Sequence, residues 1–382
     1  MRPPMTSSNP PTEPLRFGDA TLLCYRLFDM ADDIDLDRAQ GLLAGAATRL
    51  KLSRERSEYL EMPRAPLTVH LGPREVKGTS GKTYSGDAFA RLFSFGALSI
   101  RFELQLPAEA DSIEATRLVH ELEGSKDLEA MARREAEKLC TRLELALDTP
   151  HAWDGVETYA VLFARRVHGA GPAESLGTDP RIARILLAEA GSDDLSTEEV
   201  RDATQHRFSY TVHDLCVIDW NTAVVIEPQA LRDIPDILEF ATAQLLEFRF
   251  YDDLVDSEME SLYTILSKPR EPIYWKLGGR YRRLGRQLNR RLLETVEFVE
   301  RVDNSLKVIA DSYLARVYHA ALACFRVPTW LAGVNRKQDL LAQMAEVLAN
   351  ESQVYTSHLL EIIVILLILF EIVTPIWRGL GH

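Results

Sequence analysis

Cysteine is scarce and scattered in this chain. Its four residues, Cys24, Cys140, Cys216 and Cys324, form no C-x-x-C pair and no Cys/His cluster. That argues against a zinc site and a disulfide framework, and suits a reducing compartment. Positive charge is also in deficit: 44 Lys and Arg face 57 Asp and Glu, a net charge of −13. A field of that sign excludes nucleic-acid binding through overall charge, and DNA is not an expected partner. Before residue 15 there is no apolar run of the kind a secretory signal needs. The Pro-, Ser- and Thr-rich stretch 1–16 reads as a disordered tail. What the chain does have is the 46% hydrophobic and 26% charged composition of a folded protein. At 382 residues it is too long for one simple core.

The first part alternates strand-like and helix-like segments. Residues 20–28, 67–71, 93–106 and 156–167 read as strands, with a bend at Gly96. Residues 34–48 read as a helix capped by Asp33, and 127–147 as a second helix with Leu128, Met131, Leu139 and Leu143 at helical spacing. Residues 169–179 look like a loop. Residues 208–226 read as a hairpin turning around Asp219, Trp220 and Asn221.

After Pro228 the period changes. Ile234, Ile237, Leu238, Ala241, Leu245 and Phe248 recur at helical spacing until Pro269. A second apolar stripe runs from Leu277 to Ile309 and could continue to Phe325, where Pro328 would break it. A third helix is expected at about 337–354. Helices joined by short connections pack antiparallel, so 229–355 reads as a helical hairpin or coiled coil.

The tail is the strongest single signal. Residues 359–377 hold nine consecutive apolar residues, 362–370, between Glu361 and Glu371, with Trp377 and Arg378 placed as an interfacial anchor. At about 1.5 Å per residue the wider segment would reach roughly 28 Å, so a membrane helix is expected over 356–377. The two glutamates are costly in lipid unless a neighbour shields them, which points to a homo-oligomer.

Little else suggests chemistry. Gly78-Thr79-Ser80-Gly81-Lys82-Thr83 is similar to a phosphate-binding loop, but the Gly that loop needs five residues before its Gly-Lys is Val76 here. Lys276, Arg280, Arg282, Arg283, Arg286, Arg290 and Arg291 form a basic run, with Arg282, Arg286 and Arg290 on one helix face. It could hold RNA phosphates or anionic lipid, or pair with the acids Asp252, Asp253, Asp256, Glu258 and Glu260. His206 and His213 have no Glu or Cys at ligand spacing. No catalytic residue, metal ligand or cofactor is assigned.

Several of these segments together resemble the required-for-meiotic-nuclear-division family, an uncharacterised-domain family with mitochondrial and bacterial members. The resemblance covers about residues 205–375. It rests on Val334-Asn335-Arg336, Leu360-Glu361, the apolar run 362–370, Glu371-Ile372-Val373, the helix over 240–253 and the aromatic hairpin with Trp220 at its turn. Ile362 stands where the family usually has Trp, and its customary Gly near His213 is missing. The resemblance implies a bacterial-type, membrane-associated oligomer that supports translation, with no enzyme activity.

The expectation is therefore an α+β chain: an N-terminal mixed α/β domain (17–228), a long antiparallel helical hairpin or coiled coil (229–355) and a C-terminal transmembrane helix (356–377). Its role would be that of a membrane-anchored, homo-oligomeric scaffold without catalytic activity, placing ribosomes at the membrane with the bulk of the chain on the cytoplasmic side. Two alternatives stand beside it. One is an RNA- or ribosome-binding protein acting through 276–291, and the other a nucleotide hydrolase using Lys82.

Overall fold

A computed structural model describes residues 14–43, 47–49, 65–169, 171–191, 194–267 and 312–379. The chain divides into two compact units, Met1–Phe250 with Asn304–Thr329, and Tyr251–Asp303 with Trp330–His382.

The first unit is built on a mixed sheet. Its long central strand is β1 (Arg16–Asp29), followed by β2 (Ala31–Ile34), α1 (Leu36–Leu42) and β3 (Ala47–Arg49). Then come β4 (Leu67–Lys77), β5 (Thr83–Leu92), β6 (Ala97–Gln105) and β7 (Ala110–Asp111). Helices α2 (Ser112–Glu123) and α3 (Lys126–Leu143) lead to β8 (Leu147–Pro150) and β9 (Glu157–His168). The unit continues with α4 (Pro180–Leu186), α5 (Thr197–Ala203), β10 (His206–Phe208), β11 (Leu215–Ile218) and β12 (Thr222–Ile226). The sheet order is β10-β11-β12-β9-β1-β6-β5-β4-β3, with β7 added beside β1. Every pairing in it is antiparallel except that of β9 with β12. Strands β2 and β8 form a separate pair.

Register decides which side chains share a face. Cys24 lies beside Phe102 on β6 and Ala160 on β9, and Leu22 beside Leu104 and Leu162. These residues pack with Leu118, Val119 and Leu122 of α2, Leu128 of α3 and Ile182 of α4 in one apolar core. A second core joins Phe28, Leu92, Leu98 and Ile100 to α1 and the later turns of α3. The helices begin where a side chain can satisfy their first N–H groups: Asp111 accepts from Glu114 N at 2.7 Å, and Ser125 from Leu128 N at 3.0 Å. The C-terminal end of α2 is closed by a buried cation, since Arg26 donates to Leu122 O at 2.8 Å and Glu123 O at 2.7 Å.

The opposite face is covered by the first part of α6 (Asp233–Ser267) and by α7 (Ser312–Cys324). The next helix, α8, runs unbroken from Val327 to Gly379. Pro235 and Pro328 both fall in first turns, where the missing N–H would have had no helical partner. Pro328 thus starts a helix where a break was expected, and α8 contains both the expected helix at 337–354 and the tail.

Two further expectations need correction. Residues 34–48 do not form one helix: Asp35 caps the short α1, accepting from Asp37 N and Arg38 N, and strands stand on either side. The transmembrane helix is also withdrawn, and with it the membrane location. No helix among the described residues is long and apolar enough to cross a membrane. The reason is length and charge. Nine apolar residues between Glu361 and Glu371 rise only about 14 Å, under half of a hydrocarbon core. The stripe 277–309, the basic run 276–291 and the tail 1–13 lie outside the described residues.

Candidate functional site

Under α6 the sheet presents charge instead of apolar surface. Tyr25 on β1 lies beside Arg101 on β6, and Arg101 beside Phe89 on β5. One rung along, Leu27, Ser99 and Arg91 line up on the same face. Helix α6 brings Asp236 and Glu239 onto the two arginines. Arg91 Nη1 lies 2.8 Å from Asp236 Oδ1 and 2.6 Å from Glu239 Oε2, and Arg101 Nη1 donates to Glu239 Oε2 at 3.2 Å. Arg101 Nε sits 2.8 Å from Glu103 Oε1, which also accepts from Arg232 Nη1 at 2.5 Å. Three cations thus meet three carboxylates: Arg91, Arg101, Asp236 and Glu239 are buried, Glu239 fully, and Arg232 at the margin is part-exposed.

The electrostatics follow from that closure. Burial opposes the charge on Arg91, but Asp236 and Glu239 outweigh it and hold its guanidinium above the ordinary range. Arg101 is held up in the same way, chiefly by Glu239. Burial, with Glu239 nearby, pushes the Tyr25 hydroxyl well above its usual value. The Tyr25 hydroxyl, Ser99 Oγ and Glu239 Oε1 are buried and find no hydrogen-bond partner among the described residues. Two further polar contacts extend the belt: Tyr318 of α7 donates to Gln244 of α6, and Arg249 of α6 pairs with Glu157 of β9.

A second constellation lies beside β8. His151 Nε2 is 2.9 Å from Asp29 Oδ2, and its Nδ1 is 3.5 Å from Asp32 Oδ1. Its ring stacks on Phe250 at 4.4 Å, and Trp153 meets Phe250 edge-on at 5.7 Å. Burial alone would lower the imidazole pKa, but the bonds to Asp29 and Asp32 and their charges raise it to about 9. This is an imidazolium clamped by two carboxylates, a bracing contact and not a base poised near neutrality. Among the described residues no group of His, Cys, Asp and Glu could hold a metal ion.

The residues singled out from sequence are dispersed. Glu361 and Glu371 are exposed on α8, and Trp377 and Arg378 fall in its last turns. Arg280, Arg282, Arg283, Arg286 and Arg290 lie outside the described residues. Of the acids expected to face them, Asp252 and Asp256 each bind Lys337 of α8 at 2.7 Å. The loop over Gly78 to Thr83 is the turn of the β4–β5 hairpin, closed by Gly78 N to Lys82 O at 2.8 Å. Its Ser80 N and Oγ donate to Glu121 of α2 at 2.9 and 2.8 Å, a strand follows it, and Lys82 lies over the Tyr84 ring at 5.2 Å. A carboxylate therefore holds the N–H that a phosphate would need.

Sequence reasoning missed Arg91, Arg101, Asp236 and Glu239. A signal was present: Asp236 and Glu239 sit three apart inside an otherwise apolar helical run, and Arg101 interrupts the apolar strand β6. Such charges need partners when buried.

The fold and this site define a mixed-sheet α/β domain braced internally by paired charges. The chain belongs to the family described as "Uncharacterized protein MJ0711, N-terminal domain", whose model matches residues 19–232. The match begins in β1 and ends one residue before α6. Over 183 residues the chain is 22% identical to "Uncharacterized protein MJ0711" of Methanocaldococcus jannaschii, covering 47% of this chain and 55% of that protein. The chain thus spans about half the length of the curated relative it matches. No solved structure matches. Membership of an uncharacterised-domain family agrees with the sequence expectation.

Proposed function

We propose that this protein is a non-catalytic scaffold that works as a homo-oligomer, assembled through residues 362–370 of α8. One observation carries the reading: all nine of these large apolar residues are exposed, from 42% at Ile363 to 71% at Phe370. Successive helical positions turn by about 100°, so the nine surround the helix instead of lining one face. An exposed apolar patch larger than about 400 Å² marks an interaction site. Nine half-exposed large side chains supply on the order of 800 Å² per chain, the size of a specific interface. A second copy is the occupant because the stretch is bounded by Glu361 and Glu371, which a polar rim accommodates and a domain interior does not. The paired state of the buried carboxylates under α6 supports a bracing role there over a catalytic one.

On its resemblance to the required-for-meiotic-nuclear-division family, bacterial type, the scaffold serves translation, with the ribosome as partner. Sedimentation of the full chain with ribosomes through a sucrose gradient tests this. Comigration that is lost on charge reversal at Arg282, Arg286 and Arg290 would identify the basic run as the contact. A chain that stays at the top of the gradient sinks the translational role.

A further inference from the structure

A surface far from those basic residues in sequence combines exposed aromatic rings with unpaired cations. The loop between β10 and β11 exposes Tyr210 (58%), and the turn between β11 and β12 exposes Trp220 (44%). The chain makes both features rigid. Asp214 accepts from Tyr210 N at 2.9 Å and from Thr211 N and Oγ1 at 2.5 Å, which fixes the first loop. The second is a tight hairpin, with Asp219 N donating to Thr222 O at 2.9 Å. The four residues of β11, about 14 Å of strand, lie between the two loops.

Helix α7 packs across these strands and ties both ends together. Tyr210 meets Tyr313 edge-on at 5.5 Å, Arg316 lies over the Tyr313 ring at 5.9 Å, and Arg326 lies over Trp220 at 5.5 Å. The outward positions of this segment are Ser312, Arg316, His319, Ala323 and Arg326. Residues 312–329 contain no acid, and neither do 206–213. Among the described residues no carboxylate forms an ion pair with Arg316 or Arg326. Of the acids beside β11, Asp214 is buried and holds the loop, and Asp219 is half-buried, its carboxyl pushed up by that burial; Glu123, bonded to Asn221, and Glu199 are the other carboxylates near the Trp220 turn.

In a chain of net charge −13, the stretch 312–329 stands out by carrying Arg316 and Arg326 and no acid. Of the two exposed rings, Trp220 lies under Arg326, and Tyr210 meets Tyr313, over whose ring Arg316 lies. Flat rings offer stacking platforms for bases, and guanidinium groups beside them meet the phosphates that link those bases. A duplex hides its base faces, so the chemistry selects unpaired strands. We infer that Tyr210, Trp220, Arg316 and Arg326 form a binding surface for single-stranded RNA. It belongs to the first compact unit, whereas residues 362–370 belong to the second, so it does not rest on self-assembly.

The test is fluorescence anisotropy of the full chain with a labelled oligouridylate of about 12 nucleotides. Trp220→Ala should weaken binding about tenfold, as should Tyr210→Ala, while Trp220→Phe keeps a ring and binds like wild type. Arg316→Glu with Arg326→Glu should abolish binding, and wild-type affinity should fall with salt. Because these side chains are exposed, the variants should melt with wild type. The arginine pair reads the surface independently of the aromatic variants. The same RNA in duplex form should compete poorly. The proposal is overturned if wild type does not bind the oligonucleotide, or if all the variants bind as wild type does. It is equally overturned if an oligoglutamate peptide competes as well as the RNA, because the surface would then be a site for acidic protein.

Discussion

Arg101 on β6 and Glu239 on α6, 138 residues apart in the chain, share a hydrogen bond of 3.2 Å where almost no solvent reaches either side chain. That contact explains how a sheet with charged residues on one face can still be covered by a helix. The desolvation of each ion is offset only because Arg91, Asp236 and Glu103 complete the set.

Removing one member should therefore cost far more than an exposed ion pair would. Glu239→Gln keeps the shape and deletes the charge, leaving Arg91 and Arg101 short of a counterion. A loss of about 3 kcal/mol is expected in urea unfolding. Adding Arg91→Met rebalances the charges and should recover part of the loss. A Glu239→Gln variant within about 0.5 kcal/mol of wild type would mean the network does not brace α6.

His151 gives the fold a pH dependence with a definite sign. Its folded pKa, about 9, lies above its ordinary value of 6.5. The stabilisation it provides is fully present below about 6.5 and fades as pH rises through 9. The stability difference between wild type and His151→Asn should shrink across that window. A difference that grows toward pH 9 would contradict the clamp with Asp29 and Asp32.

Gly96 sits in the turn before β6 with φ of 106°, and a Cβ there would lie 1.7 Å from Ala31 O. At Gly81, φ is 87° but no atom lies within 4 Å. Gly81→Ala should therefore cost about 1–2 kcal/mol from backbone strain alone. Gly96→Ala adds a backbone collision and should cost more. Equal thermal shifts in the two variants would contradict the close approach of β2 to this turn.

Lys82 lies in a hairpin turn whose Ser80 N–H is held by Glu121. Calorimetry with ATP should show no binding heat for wild type, and none for Lys82→Ala. Saturable heat that the substitution removes would revive a nucleotide-binding role for this turn.

What the sequence made legible follows from how local each signal is. The core of β1, the hairpin around Trp220, helix α3 and the start of α6 each carry their own period, and they stand where that period placed them. Residues 34–48 failed because three short elements, β2, α1 and β3, share a stretch whose apolar spacing suits a helix. The tail misled for a different reason: the wider segment 359–377 is long enough to suggest a span, but its continuous apolar run is nine residues between two carboxylates. The paired charges under α6 could be flagged as anomalies but not matched, because a contact across 138 residues leaves no periodic trace.

Assembly through residues 362–370 is open to light scattering of the full chain over a wide concentration range. The expected mass is a multiple of 43.1 kDa, falling to 43.1 kDa when Ile365→Glu and Leu369→Glu put charge on one face of the stretch. Wild type at 43.1 kDa throughout, or an assembly unchanged by both substitutions, would contradict it.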